Sequence, residues 1–191
     1  DIGKKSKYPV FKVNFINNTE KEIVNEKNYI ISSVPAKHSI PAVAYCLKEK
    51  DRWNINKEKL KQYNLSPGPK LRKIKKQGEI NHRGKTIKLK DIADLNEGRK
   101  IVYSGDTGPS TLIEKMATRA NILIHDATFL NESSKQHSTV KDAAHLASRA
   151  DVDKLVLTHY SRRYDDLDLL LKTASEIHDN VVLARDLMDI Y

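Results

Sequence analysis

One pattern occurs three times between residues 101 and 159 and constrains the fold more than any other feature. A short apolar run of β-forming residues leads each time to an acid or a histidine: residues 101–103 to Asp106, residues 122–124 to Asp126, and residues 155–157 to His159. Helical patterns separate the runs, which predicts a layered α/β fold. Open α/β sheets build their sites at the carboxyl ends of the strands. We therefore expect these polar side chains to lie together.

The same periodicities assign most of the chain. We predict strands at residues 10–16, 29–34, 43–48, 100–104, 121–125, 154–158 and 181–184, and helices at about 109–120, from 138 or 139 onward, and at about 165–178. A weaker helical pattern runs from Asn54 to Tyr63, with Asn54 or Asn56 as its N-cap, and Pro67 to Pro69 predicts an irregular turn.

Residues 49–90, called the basic arm below, differ from the rest. From Lys70 to Lys90, nine basic residues against one acid, Glu79, leave +8 of the net charge of +9. The apolar content is too thin to predict an independent core. Two interpretations stay open: a solvated loop, or an arm that grips a phosphate backbone through its cations. The densest cations are Lys70, Arg72, Lys73, Lys75 and Lys76. The chain then divides into residues 1–48 with core strands, the arm at 49–90, and an α/β half at 91–191.

Composition excludes several classes of protein. The single cysteine, Cys46, rules out a disulfide framework and a thiolate zinc cage, and it fits a reducing compartment. No apolar run reaches the roughly 18 residues of a membrane span. No signal-like start is present, so we expect a cytoplasmic protein without a membrane partner.

Three residues can supply a metal site. The carboxylate of Asp106 can bridge two metals, and His38 and His159 can each add an imidazole. Imidazole and carboxylate ligands without thiolate suit a catalytic zinc or manganese centre better than a structural zinc site. The three are far apart in sequence, and histidines satisfied within a core are the commoner finding.

A second candidate pair is His137 with Asp126. His137 precedes a predicted helix start, where backbone amides attract anions, and an acid could orient it for proton transfer. The alternative is an exposed histidine in a capping region. His125 is interpreted as a packing residue or as one that supports a ligand, and His82, His145 and His178 as surface or helix-face residues.

Six ordered motifs resemble those of ribonuclease Z, the tRNA 3′-processing endonuclease family of the metallo-β-lactamase fold. They are Ala-Lys-His-Ser-Ile-Pro at 36–41, Leu-Ser-Pro-Gly-Pro at 65–69, Tyr-Ser-Gly-Asp-Thr at 103–107, Leu-Ile-His-Asp-Ala-Thr-Phe at 123–129, His-Ser-Thr at 137–139 and Leu-Thr-His-Tyr-Ser-Arg-Arg-Tyr at 157–164. The aspartate motif alone is shared across the fold, but the ordered set with a basic arm is specific.

The resemblance implies an αββα sandwich and a role for each candidate. His38 is similar to a ligand of one zinc, Asp106 to the carboxylate that bridges two zincs, and His159 to a ligand of the other. His137 is similar to the histidine that contacts the scissile phosphate and assists the leaving group. Asp126 stands where the family usually has a glutamate as the partner of that histidine. The arm resembles the family's tRNA clamp, which in its dimers serves the other subunit's active site.

One departure from the family is an absence. The family's His-x-His-x-Asp-His motif does not occur, because no two histidines are closer than His137 and His145. By similarity, about the first hundred residues of the family are missing, Asp1 is an internal position, and the end at Tyr191 is nearly complete. We expect the chain alone to expose one face of its sheet, to bind zinc weakly and to cleave no precursor tRNA. Alternatives are a phosphodiesterase of this fold acting on small or cyclic diesters, and an RNA-binding fragment whose metal site has decayed.

Overall fold

The computed structural model of the chain describes residues 21–132 and 135–190, so the strand predicted at 10–16 lies outside the described residues. The strands are β1 (Lys21–Asn25), β2 (Tyr29–Pro35), β3 (Val43–Glu49), β4 (Arg52–Ile55), β5 (Glu79–His82), β6 (Lys85–Lys88), β7 (Ala93–Asn96), β8 (Lys100–Tyr103), β9 (Ile122–Asp126), β10 (Lys154–Thr158) and β11 (Val181–Leu183). The helices are α1 (Lys57–Gln62), α2 (Pro69–Gln77), α3 (Leu89–Ile92), α4 (Thr111–Ala117), α5 (Val140–Arg149) and α6 (Leu167–Ser175).

Seven strands form the main sheet, in the order β1-β2-β3-β8-β9-β10-β11. The last four are parallel to one another and follow the chain order, whereas β1, β2, β3 and β8 pair antiparallel. Right-handed crossovers that all step in one direction leave their helices on one face of a sheet. The buried residues of α4, α5 and α6 accordingly form one core with the inner residues of the sheet, such as Val102, Leu123 and Leu155.

The opposite face of the sheet is partly exposed, as the sequence led us to expect. Tyr45 pairs with Tyr103 across β3 and β8, and Leu47 pairs with Ile101 on the same face. Tyr45, Leu47 and Tyr103 keep 40%, 39% and 46% of their surface exposed. Among the described residues no second layer covers these side chains, and exposed apolar patches of this kind are typical of interaction surfaces.

The basic arm is more ordered than its composition predicts. β4 pairs with β7, β5 with β6, and the three short helices lie between these strands in sequence. The expectation that the segment lacks a core is wrong, because five of its residues are buried together with Ile92, and these five are Leu60, Leu65, Ile74, Ile80 and Ile87. Isoleucine and leucine spaced along short amphipathic elements supply that small core. It makes a fully solvated loop untenable here.

Local signals place the helix starts well. The side chain of Asn56 accepts from two backbone N–H groups of α1, and Thr139 forms a capping box with Asp142 at the start of α5. The helix predicted from residue 109 begins at Thr111, with Ser110 as the N-cap. No helix in the described part of the chain has both the length and the apolar character needed to cross a bilayer.

Candidate active site at the strand ends

Four loops meet at one edge of the main sheet. The parallel strands β8, β9 and β10 end there, and β2 ends at the same edge because β2 and β8 are both antiparallel to β3. The loop after β2 carries His38, and the loop after β8 carries Asp106. Asp126 ends β9 and His159 follows β10.

Thr107 ties the first two loops together. Its hydroxyl accepts from the backbone N–H of Lys37 at 3.0 Å, and the backbone N–H of Gly108 donates to the Lys37 carbonyl at 2.7 Å. Gly105 makes the preceding turn with a left-handed φ of +61°. A Cβ at Gly105 would lie 3.0 Å from the Val43 carbonyl oxygen, so the loop packs closely on β3.

Asp126 is fully buried and its carboxylate is saturated with hydrogen bonds. Oδ2 accepts from the backbone N–H of Thr107 at 2.9 Å and lies 2.9 Å from His137 Nδ1. Oδ1 accepts from the backbone N–H and the hydroxyl of Thr128 at 2.9 and 2.6 Å. These contacts offset the cost of burying a carboxylate. The backbone N–H of Thr107 therefore orients the carboxylate of Asp126.

The contact with Asp126 sets the tautomer of His137. A carboxylate oxygen accepts, so Nδ1 of His137 donates and Nε2 keeps a lone pair in the neutral ring. That Nε2 lies 3.4 Å from Nε2 of His38, and the two rings meet edge to face at 5.0 Å between centroids. The sequence-predicted residues Asp126 and His137 are thus in direct contact, and His38 lies beside them.

Thr128 is a member of the cluster that sequence reasoning did not single out. Because its hydroxyl donates to Asp126, its oxygen accepts from Nδ1 of His159 at 2.8 Å, and it also lies 3.3 Å from Nδ1 of His137. One hydroxyl therefore touches three functional side chains. The available signal was its position two residues after Asp126, because an aspartate side chain commonly bonds to the backbone N–H two residues further on.

His159 occupies a strained backbone position at the centre of the cluster. Its φ is +59°, in the left-handed region that non-glycine residues rarely adopt, and such strain concentrates at functional sites. The bond from Nδ1 to Thr128 leaves the Nε2 lone pair directed toward Asp106, with Oδ2 at 3.7 Å. The ring also stacks on His137 at 5.3 Å between centroids.

The donor atoms of this cluster suit a metal ion, and they divide into two alternative sets of ligands. Ligand atoms of Asp126, His137 and His159 all lie within 4.8 Å of one another. Asp126 has no lone pair to spare, however, so it serves better as a partner that orients histidines. His159 Nε2 and Asp106 Oδ2 are spaced like two ligands of one zinc with bonds of about 2 Å, and the Thr128 hydroxyl behind His159 is the supporting hydrogen bond that metal-bound histidines normally have.

The remaining candidates lie apart from this cluster. The five arm cations are all exposed on α2, in the arm's own fold. His125 is fully buried and lies behind Asp126, where burial lowers the pKa of its imidazole and Asp126 opposes the shift. It is a supporting residue and not an open ligand.

Comparison with known proteins agrees with this architecture. The beta-lactamase superfamily domain model matches residues 70–160. Among solved structures, the metallo-beta-lactamase fold protein YhfI from Bacillus subtilis is similar with a TM-score of 0.57 at 15% identity, covering 89% of this chain and 52% of that one. The short form of human tRNase Z is similar with a TM-score of 0.51 at 22% identity, covering 87% and 44%. These likenesses establish the fold.

Curated sequences give a closer relationship. Proteins named Ribonuclease Z are 36% identical in Methanosarcina mazei, covering 88% of this chain and 58% of the relative, and 38% identical in Saccharolobus solfataricus, covering 94% and 61%. The Thermococcus gammatolerans protein is 43% identical, covering 84% and 54%. The chain spans about three-fifths of the length of these relatives. The chain therefore has the metallo-β-lactamase fold, and over most of its length it is similar in sequence to proteins named Ribonuclease Z.

Proposed function

We propose that this chain is the larger part of a zinc-dependent endoribonuclease that removes the 3′ trailer from precursor tRNA. It would cut just after the discriminator base and leave a 3′-hydroxyl. The observation that carries the proposal is the polar cluster at the strand ends, where Asp106 and His159 lie beside the Asp126–His137 pair, in a chain similar to proteins named Ribonuclease Z.

Some of the residues that hold the metals would come from this chain, and the others from outside it. His38 and His159 would each hold one of two zincs, or manganese, and Asp106 would bridge them. Zinc bound there would lower the pKa of water and polarise the scissile phosphate. Three residues shared by two metals are fewer than the three protein ligands per metal of a typical catalytic site. We therefore propose that the centre is completed from outside these 191 residues, and that the chain alone is inactive.

The Asp126–His137 pair would handle the proton. Asp126 holds the ring of His137 through Nδ1 at 2.9 Å, so only Nε2 is directed toward the substrate side of the cluster. A protonated Nε2 would contact the scissile phosphate and donate to the oxygen that leaves on the 3′ side. The hydrogen-bonded carboxylate would hold the ring in position for this transfer.

The basic arm would supply the grip on RNA. Its five densest cations lie on one nine-residue helix, α2, and all are exposed. Clustered cations bind a polyanion by releasing its counterions. A small diester needs no such surface, which favours precursor tRNA over the small-molecule alternative. We further propose a homodimer in which the arm of one subunit serves the active site of its partner.

The experiment uses a completed enzyme, defined as this chain fused behind the amino-terminal part of a ribonuclease Z relative that carries the His-x-His-x-Asp-His run. With 5′-labelled precursor tRNA, the completed enzyme should release the trailer only when zinc or manganese is present, and the chain alone should not. Asp106→Ala should abolish cleavage. Unchanged cleavage by that variant would refute the metal mechanism, and zinc-dependent turnover by the chain alone would refute the divided centre.

The structure permits a clean removal of the arm. Ile55 of β4 pairs with Ala93 of β7, so an Asn-Gly turn can replace residues 56–92 and leave the strand pair closed. The shortened completed enzyme should lose tRNA processing but still hydrolyse a small phosphodiester. If tRNA processing survives, the arm is not the clamp. If both activities are absent in the intact protein as well, the proposed function itself fails.

A further inference from the structure

A cavity of about 190 Å³, lined by both polar and apolar groups, lies beside His125 on the helix side of the sheet. Its lining includes His125 and Ser138, which are the sequence neighbours of Asp126 and His137. Helix α5 adds Asp142 and His145 to the wall, and Ser110 before α4 adds another. The cavity therefore borders the residues that are next to Asp126 and His137 in sequence.

His125 reaches from this cavity to the backbone of Asp126. Its Nδ1 lies 2.8 Å from the carbonyl oxygen of Asp126, and a carbonyl can only accept, so Nδ1 carries the proton. The backbone N–H of Asp126 donates to the hydroxyl of Ser104 at 3.0 Å. Both main-chain groups of Asp126 are thus bound to side chains, and the ring of His125 fixes the peptide plane from which the Asp126 carboxylate projects.

The second ring nitrogen of His125, Nε2, receives no hydrogen bond from any described residue. In the neutral ring Nε2 is an acceptor, and among the described residues no donor lies within hydrogen-bond distance of it. His125 is fully buried, so bulk solvent does not reach that atom. A buried acceptor left unsatisfied is costly, and ordered water normally satisfies it where a cavity offers polar partners, as Ser110, Ser138 and Asp142 do here, and has room for the ~30 Å³ that one water occupies.

We propose that His125 is the positioning residue of the Asp126–His137 pair, and that a water in the cavity holds its free Nε2. The ring of His125 orients the peptide group of Asp126 and thereby the Asp126 carboxylate. The carboxylate in turn keeps the proton of His137 on Nδ1. This inference rests on the proposed function only for its effect on rate. The hydrogen-bond geometry can be tested in the chain by itself.

Two substitutions separate positioning from packing. The amide nitrogen of His125→Asn falls near the position of Nδ1 and can still donate to the Asp126 carbonyl. His125→Gln places its amide near Nε2 instead and loses that donor. The proton on His137 Nδ1, observed by NMR in the chain alone, should persist in His125→Asn and vanish by exchange with water in His125→Gln. Equal behaviour of the two variants would overturn the positioning role. The same two substitutions at His178 are the control and should leave the signal unchanged.

The water is tested separately by cross-relaxation between a long-lived water and the Hε1 proton of His125. A cross-peak is expected, and its absence would overturn that half of the proposal. In the completed enzyme, His125→Gln should lower kcat about tenfold with KM unchanged, and His125→Asn should stay within about twofold of wild type. If the completed enzyme cleaves no RNA, the proposed function fails while the NMR result still decides the role of His125.

Discussion

The imidazole of His137 lies 2.9 Å from the carboxylate of Asp126, although aspartate is one methylene shorter than the glutamate of the pattern it resembles. The pairing does not depend on reach, because Asp126 ends β9 and is anchored by the backbone N–H groups of Thr107 and Thr128. The strand end brings the carboxylate to the histidine.

Asp126→Asn should damage both stability and activity. Its amide nitrogen must replace either Oδ2, where it faces the N–H of Thr107 and Nδ1 of His137, or Oδ1, where it faces the N–H of Thr128, so at least one buried donor is left unsatisfied. We expect the free energy of unfolding to fall by about 1–3 kcal/mol, and cleavage by the completed enzyme to fall at least about 100-fold. His137→Ala should lose similar activity with less change in stability, because that side chain is 20% exposed. Urea unfolding and single-turnover kinetics measure the two effects, with Asp168→Asn on the surface of α6 as the control. Full activity in Asp126→Asn would contradict the pairing.

Thr128→Val should weaken metal binding while preserving the fold. Valine keeps the shape of threonine but removes the hydroxyl that bonds to His159 at 2.8 Å. Loss of such a supporting bond typically costs about 10–100-fold in metal affinity. Zinc titration of the completed enzyme should show that loss for Thr128→Val and recovery for Thr128→Ser, whereas Thr173→Val on α6 should change nothing. Equal zinc affinity of the Val and Ser variants would show that the hydroxyl of residue 128 does not support metal binding.

Neutralising the arm should change the salt dependence of RNA binding. We replace Lys73, Lys75 and Lys76 by Gln. If each lysine contacts one phosphate, the negative slope of log affinity against log salt should become shallower by about 2–3. The matched control replaces Lys115, Lys141 and Lys172, which are exposed on α4, α5 and α6. Fluorescence anisotropy with labelled tRNA measures both triple variants. The arm is not the RNA contact if the two slopes shift equally.

The exposed face of the sheet should make the chain alone prone to self-association and to binding apolar dyes. Tyr45 and Tyr103 face each other across β3 and β8 and remain about half exposed. The double substitution Tyr45→Ser with Tyr103→Ser should reduce both fluorescent hydrophobic-dye binding and self-association in sedimentation, at a cost of about 1 kcal/mol or less per residue in stability. Leu95→Ser, at an exposed position of β7 in the arm region, is the control. Undiminished dye binding would place the apolar surface elsewhere.

Stability should fall as the pH drops from 7 to 5. Burial lowers the pKa of His125 and of His178, so in that range the unfolded chain binds protons that the native chain does not. Below the ordinary histidine pKa of about 6.5 the free energy of unfolding should therefore decrease, and the fully buried His125 should contribute more to this decrease than the partly exposed His178. His125→Asn should show a shallower decline, and His145→Asn, at an exposed position, should match wild type. A wild-type stability that rises toward pH 5 would reverse the sign of this linkage.

Local patterns predicted the elements whose signals are local. The alternation of apolar runs and helical spacing identified β8 through β11 with their three helices, and Asn56 and Thr139 marked helix starts. The small strand pairs of the arm were missed, because four-residue strands in a lysine-rich segment carry too little periodicity. Helix α2 was also missed, although Pro69 stands at its first turn, since only Ile74 of that helix is fully buried.

The sequence by itself determined which groups arrive at the strand ends, because parallel strands share an edge and each strand ended in an acid or a histidine. It did not determine what those groups do to one another. That depends on angles and on single hydrogen bonds between residues far apart in the chain: Thr107 bonded to Asp126 and not positioned toward Asp106, Thr128 joining two histidines, and His125 turned inward beneath Asp126. The tertiary structure decided these contacts because the carboxylate of Asp126 is buried and saturated with hydrogen bonds, whereas that of Asp106 is 45% exposed beside His159, which is why we propose Asp106 as the metal ligand.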